Sequence, residues 1–181
     1  IEIQKEQIKD VINKIRTKEL HGVNVTVPYK QDVIPHLDII VNDAKETSSI
    51  NTIYLNTENK IVGENTDVYG FEQSFISKLK NEDIIKKNIL ILGAGGVTPS
   101  IIYALKKKQI EKLFISNRTL QKAKNIKKKF PFVEIIAWEK FFQKTEEMDI
   151  IINTTSLGMK NGSNFETLIQ RFKPGLIYYD V

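Results

Sequence analysis

Residues 88–97 read Asn-Ile-Leu-Ile-Leu-Gly-Ala-Gly-Gly-Val, and this stretch decides the fold. A strand is predicted over Asn88 to Leu92, whose apolar run suits burial on both faces, as in a parallel sheet covered by helices. Gly93-Ala94-Gly95-Gly96-Val97 breaks the run. Pro99 then suits the first turn of a helix, where a missing N–H forfeits no hydrogen bond. Glycines at such a strand–turn–helix junction let backbone N–H groups approach a pyrophosphate at the helix N-terminus. The usual third glycine position holds Thr98, so the fingerprint is degenerate. A tight turn without a ligand is the alternative, and the strand–turn–helix context favours the nucleotide reading.

Downstream, strand and helix patterns alternate. Strands are predicted over Lys112 to Ser116, Val133 to Ala137, Asp149 to Asn153 and Leu176 to Asp180. Helices are predicted over Val68 to Lys80, Pro99 to Lys108, Leu120 to Phe130 and Phe165 to Phe172. This alternation argues an α/β fold, with a Rossmann-like parallel sheet in the second half of the chain. The second strand of that unit ends at Ser116-Asn117-Arg118-Thr119. NAD-binding units place an acid here against the ribose 2′-hydroxyl. This chain has Arg118 instead, with Lys122 one helical turn on. A guanidinium pairs with a phosphate through two bonds and an ammonium adds charge, so the cofactor predicted is NADP(H). Asn117 and Thr119 as helix caps beside a solvated arginine is the alternative. Asn153-Thr154-Thr155-Ser156 follows another strand, where small polar residues either flank a ligand or simply turn the chain.

The first half is patterned differently. Ile8, Val11, Ile12 and Ile15 form one stripe of an amphipathic helix. Asn24-Val25-Thr26-Val27-Pro28-Tyr29-Lys30 then reads as a strand, with Val23, Val25 and Val27 on one face, ending at the proline. Lys30 follows just past the strand's C-terminal edge, where open α/β folds keep ligand groups. A partly desolvated lysine there can shuttle a proton, although on this segment alone a solvated strand end is the favoured reading. A helical stretch with a break near Pro35 comes next. Ile50 to Leu55 and Lys60 to Gly63 form a predicted hairpin across the turn-rich Asn56 to Asn59. The boundary between the halves falls close to Asp67, giving a smaller α/β unit over 1–67 and the Rossmann-like unit over 68–181. Asp67 itself reads as a helix N-cap, a carboxylate partner for a cation, or both.

Composition narrows the function classes. Apolar residues make 41% and charged residues 27% of 181, ordinary for a globular chain, and no apolar run is long enough to span a membrane. Ile1 to Lys14 mixes Glu, Lys, Gln and Asp with apolar residues, unlike a secretory leader. There is no cysteine, so disulfides and thiolate sites are excluded, which fits a cytoplasmic location. The net charge of +5 is spread over scattered lysines without interleaved aromatics, which argues against nucleic acid as partner. His21 and His36 have no metal-ligand spacing around them.

These pieces together resemble the shikimate dehydrogenase family over nearly the whole chain. Residues 24–30 are similar to its substrate-loop motif. Ser49-Ile50-Asn51-Thr52 is similar to its Ala-Val-Asn-Thr motif, with Ser49 replacing alanine. Gly63-Glu64-Asn65-Thr66-Asp67-Val68-Tyr69-Gly70 is similar to its Gly-x-Asn-Thr-Asp-x-x-Gly motif. The Gly-Ala-Gly-Gly turn, Asn117-Arg118-Thr119 and Asn153 to Met159 follow in the family's order. The resemblance implies a substrate-binding domain followed by an NADP-binding domain, and reversible reduction of 3-dehydroshikimate to shikimate on the route to chorismate. It implies Lys30 as acid/base and Asp67 as its carboxylate partner, with Thr26 and Asn51 on ring hydroxyls. It implies Gly93, Ala94, Gly95, Gly96 and Val97 around the pyrophosphate. Asn117, Arg118, Thr119 and Lys122 would hold the adenosine phosphate end, and Val181 would lie near the nicotinamide. A monomer or homodimer without a metal is implied too.

Two departures temper this. The family's initial Ser-x-Ser carboxylate anchor and its final glutamine-bearing segment are not in these residues, so the chain reads as an internal fragment expected to bind dehydroshikimate poorly by itself. An NAD-dependent quinate/shikimate dehydrogenase is the alternative within the enzymes, and Arg118 argues against it. A non-catalytic NADP-binding module is the alternative outside them, and Lys30 with Asp67 argues against that.

Overall fold

The computed structural model describes residues 2–79, 84–108, 110, 112–157 and 172–181. The first part opens with helix α1 (Ile8–Arg16), whose Ile8, Ile12 and Ile15 are buried. They pack against Ile50, Ile53 and Ile61, which closes the first core over one face of a sheet. That sheet is built from β1 (Gly22–Asn24), β2 (Ile39–Ile40), β3 (Thr52–Leu55) and β4 (Ile61–Glu64), in the order β1-β3-β4-β2. β3 pairs antiparallel with both β1 and β4, and β2 joins β4 in parallel. A short helix α2 (Asp43–Thr47) follows β2. The β3–β4 hairpin forms as the sequence predicts, although its strands start one or two residues later than the apolar runs.

Two expectations for this part need correction. The first strand does not reach Val27. Val25 N–H still donates to Asn51 O at 2.8 Å, but Tyr29 N–H donates to Thr26 O at 3.0 Å and closes a turn around the cis Val27–Pro28 bond. Val27 is consequently 71% exposed. The stretch after Lys30 forms one 3-10 turn, Ile34–His36, with Pro35 inside it. β2 and α2 were not predicted, because two and five residues are too short to establish a period.

The second part begins with α3 (Asp67–Ser74) and a 3-10 turn, Ile76–Lys78, instead of one helix to Lys80. Phe75 closes α3 at φ −118°, away from helical values, and Phe75 and Ile76 are both buried. Then come β5 (Asn88–Leu92), α4 (Thr98–Lys107), β6 (Lys112–Ser116), α5 (Leu120–Lys129), β7 (Glu134–Ile135), β8 (Ile150–Asn153) and β9 (Ile177–Asp180). The helix predicted over 165–172 lies outside the described residues except for Phe172.

These strands form a wholly parallel sheet in the order β7-β6-β5-β8-β9. Successive residues feed opposite cores. Ile89 and Ile91 face α3, α4 and α5, whereas Leu90 and Leu92 face Phe141 and Met148 on the other side. Burial on both faces is what turns the β5 sequence into an unbroken apolar run. The chain leaves β5 in one direction to β6 and returns on its other flank as β8. The C-terminal ends of β5 and β8, Leu92 and Asn153, therefore border a topological switch point, the usual ligand crevice of such sheets. No helix among the described residues is long and apolar enough to cross a membrane.

Candidate active site

Lys30 lies in the turn after β1 and is 9% exposed. Its main chain is fixed by Ile50 N–H, which donates to Lys30 O at 2.8 Å. Its Nζ donates to Asp67 Oδ2 at 2.6 Å, an ion pair that spans 37 residues of sequence. Asn51 Nδ2 donates to the other carboxylate oxygen, Asp67 Oδ1, at 2.8 Å, and to Thr66 Oγ1 at 2.9 Å. Asn51 Oδ1 in turn accepts Thr66 N–H at 3.0 Å. A carboxylate held from both oxygens has one orientation available, and so does the ammonium it receives. Three of the predicted residues, Lys30, Asn51 and Asp67, are thus brought together from three separate segments.

Asp67 does not cap α3. It is the first residue of that helix, and the cap-like bond comes from Asn65 Oδ1, which accepts Val68 N–H at 3.2 Å. Asp67 Oδ1 and Oδ2 are committed to Asn51 and Lys30 instead.

The glycine-rich turn sits directly against this cluster. A Cβ built on Gly96 would lie 3.4 Å from Lys30 Cδ, so the turn touches the methylene stem of the lysine. Gly93 has φ +109°, and a Cβ there would clash with Thr154 Oγ1. Most of the N–H groups in the turn are already used. Gly93 N–H donates to Ser116 O at 2.8 Å. Ala94 N–H donates to Asn117 Oδ1 at 3.0 Å, and Gly95 N–H to Thr98 Oγ1 at 3.1 Å. The N–H groups of Gly96 and Val97 have no partner among the described residues, and they stand at the start of the ten-residue α4. Of the five residues predicted to cradle a pyrophosphate, these two supply the free donors. The residues fit a dinucleotide phosphate: two unpaired N–H groups, the positive end of a helix dipole, and a glycine where a methyl group has no room.

Lys30, Gln31, Ala94, Gly95, Gly96, Lys122 and Asn125 line a cleft of about 340 Å³, with Val27 and Pro28 on its wall. Lys122 makes no ion pair with any described residue, so the cleft carries a positive charge beyond the one Asp67 balances. Arg118 and Thr119 are exposed at the end of β6, and Thr119 takes the N-cap position of α5 without a side-chain cap bond. Asn117 is no cap either. It bridges Ala94 N–H to Thr119 O, receiving at Oδ1 and donating from Nδ2 at 2.9 Å. Thr26 lines a different, larger groove of about 850 Å³ between α1 and the Val25–Tyr29 turn, so it is not among the residues gathered at Lys30. Val181 is 50% exposed just past β9, where its N–H donates to Asn153 O at 3.1 Å.

Sequence reasoning did not assign Thr98 or Ser49 a structural task. Thr98 is fully buried. Its hydroxyl accepts from Gly95, donates to Gly93 O at 3.3 Å and meets Thr154 Oγ1 at 3.0 Å. Its place in the third glycine position was the available signal, since a hydroxyl there can close the turn on itself. Asn65 Nδ2 donates to Ser49 O at 2.7 Å and to Ser100 Oγ at 2.9 Å, joining the two parts of the molecule through buried polar atoms.

The model of the shikimate dehydrogenase substrate binding domain matches residues 1–53, and that of shikimate / quinate 5-dehydrogenase matches residues 76–164. Shikimate dehydrogenase (NADP(+)) of Pelagibacter ubique is 47% identical over 176 residues, which is 97% of this chain and 63% of that relative. The chain therefore spans less than two thirds of that relative's length. The crystal structure of shikimate dehydrogenase from Aquifex aeolicus superposes with a TM-score of 0.81 at 33% identity, covering 99% of this chain and 73% of that one. Shikimate 5-dehydrogenase from Listeria monocytogenes, in complex with shikimate and NAD, superposes with a TM-score of 0.79 at 25% identity, covering 99% and 66%. Both halves match in the same order, and one solved member accounts for nearly every residue of the fold, so the chain belongs to the shikimate dehydrogenase family.

Proposed function

We propose that the protein is an NADP-dependent shikimate dehydrogenase that reversibly reduces 3-dehydroshikimate to shikimate. The observation that carries the reading is the Lys30–Asp67–Asn51 cluster set against the glycine-rich turn. Residues 1–67 form the substrate-binding part and residues 68–181 the cofactor-binding part. NADP(H) supplies or accepts the hydride when bound. Gly96 and Val97 N–H hold its pyrophosphate, Lys122 adds charge at the same cleft, and Arg118 pairs with the 2′-phosphate.

The remaining chemistry belongs to side chains of this chain. Reduction of the ketone builds negative charge on its oxygen, and Lys30 Nζ stabilises that charge and delivers the proton. In the reverse direction Lys30 takes the proton from the hydroxyl. Asp67 aims the ammonium and balances its charge. Asn51 fixes Asp67 and presents its own carboxamide to a ring hydroxyl, and Thr26 approaches from the neighbouring groove. The protein acts in the cytoplasm on a small molecule, as a monomer or homodimer, which light scattering distinguishes.

The test is absorbance at the NADPH band for protein made from the complete gene, with shikimate and NADP, then with quinate and NAD. Turnover that prefers shikimate and NADP supports the proposal. Preference for quinate with NAD moves it to the neighbouring activity. NADPH binding without turnover on either substrate defeats it in favour of a binding module.

A further inference from the structure

Ser49 is fully buried in the segment that leads into β3, and its hydroxyl donates to Gly96 O at 2.9 Å across the junction between the two parts of the molecule. The Gly96 carbonyl and the Val97 N–H belong to one planar trans peptide, and they point in opposite directions. A bond that holds the carbonyl therefore also fixes the direction of the N–H. Val97 N–H is one of the two donors in the turn without a partner among the described residues, and it stands at the start of α4. Ser49 itself is rigidly placed. Its carbonyl receives Asn65 Nδ2 at 2.7 Å, and Asn65 reaches on to Ser100 Oγ of α4 at 2.9 Å. Two residues later, Asn51 holds Asp67.

We infer that Ser49 is a positioning residue for the cofactor's pyrophosphate: from the substrate-binding side, its buried hydroxyl sets the Gly96–Val97 peptide plane so that Val97 N–H meets the phosphate. The inference rests on the NADP-binding reading above. Ser49 stands where the resembled motif has alanine, so this anchor belongs to this chain and not to the motif. Without it the Gly96 carbonyl loses this partner, and the Gly96–Val97 peptide, central in the turn that Thr98 N–H closes on Gly95 O at 3.3 Å, is held less firmly in one plane. The free state loses little, and the bound state must then order a plane that the wild-type protein presents already set.

The experiment is fluorescence titration of the protein made from the complete gene with NADPH and, separately, with 2′-AMP, which carries the 2′-phosphate but no pyrophosphate. Wild-type protein that fails to bind NADPH overturns the NADP reading itself. Given wild-type binding, Ser49→Ala is expected to weaken NADPH about three- to tenfold, leave 2′-AMP affinity unchanged, and shift the melting temperature by no more than about 3 °C. Ser100→Ala, which disturbs the same buried network without touching the Gly96 carbonyl, is expected to leave the ratio of the two affinities unchanged. Equal weakening of both ligands by Ser49→Ala, no weakening of either, or an equal change of the ratio in Ser100→Ala overturns the inference.

Discussion

Across the cleft the two sheets present different kinds of atom. From the four-stranded sheet come side chains: the Lys30 ammonium, the Asp67 carboxylate just beyond β4, and the Asn51 carboxamide. From the five-stranded sheet come mainly peptide groups, the unpaired N–H groups of Gly96 and Val97, with Thr98 and Asn117 spent on shaping the turn. A surface made of side chains is damaged by taking atoms away. One made of main chain is damaged by adding them. The contrast also fits the two tasks, since moving a proton needs a titratable group whereas holding a phosphate needs only oriented donors.

Removing atoms from the first surface has the largest effect. Lys30→Ala should lower kcat by about 10²- to 10⁴-fold, the range associated with a positioned general acid, while NADPH affinity in a fluorescence titration stays within about twofold. Retained turnover would break the contrast at its centre. Adding atoms to the second surface comes next. In Gly93→Ala the new methyl group meets Thr154 Oγ1 at a backbone φ of +109°, so the turn must distort. A stability loss of about 1–3 kcal/mol and a marked loss of NADPH binding are expected, read by denaturant titration and fluorescence. Normal NADPH binding by this variant would show that the turn's shape is not what holds the phosphate.

Arg118 is the exception that sharpens the comparison, a side chain acting for the second half. Arg118→Ala should weaken NADPH about tenfold and leave NADH unchanged, since only the former carries a 2′-phosphate. Equal weakening of both would assign that task to main chain after all. The smallest effects are in pH dependence, where the two halves are expected to diverge. The Arg16 guanidinium, and then Ile61 N–H at 2.7 Å, hold the Asp38 carboxyl below its ordinary 3.8. The stabilisation this gives the first sheet is present above that value and lost as pH falls below it. Asp38→Asn should therefore melt below wild type at pH 7, and the difference should shrink as pH falls below 3.8. In the second sheet, burial and then the charge of Asp180 push the Tyr178 hydroxyl up to about 12. The folded state keeps that proton after an unfolded tyrosine has lost it, so stability falls between about pH 10 and 12, and Tyr178→Phe should soften the decline in alkaline melting curves.

The same division explains what could be read from sequence. In the parallel sheet the central strands β5 and β8 are buried on both faces, so Ile89–Leu92 and Ile150–Ile152 appear as unbroken apolar runs. The predicted bounds of β5 and β6 match the observed ones residue for residue. In the mixed sheet the strands are two to four residues long, and hydrogen bonds to loops complete the ladder. Val25 and Val27 alternate like strand residues, yet only Val25 joins the ladder because the turn at Pro28 intervenes. Lys30 and Asp67 were legible as a pair because both lie in motifs. Ser49 and Thr98 went unassigned because a buried hydroxyl leaves no periodic trace: its role depends on a partner distant in sequence. Asp67 read equally as a cap or a partner until the position of Asn65 decided between them.

The contact between Gly96 and the Lys30 stem has a consequence for anyone redesigning this protein. The residue at 96 acts as a spacer between the lysine and the phosphate turn. Glycine leaves the ammonium where Asp67 holds it, and the first added carbon would already touch Lys30 Cδ at 3.4 Å. Each larger residue would push the lysine away from the turn and move the point where the proton is delivered relative to the hydride. A graded series at this one position, Gly96 to Ala to Ser to Val, would act as a ruler for the distance over which the two transfers stay in step.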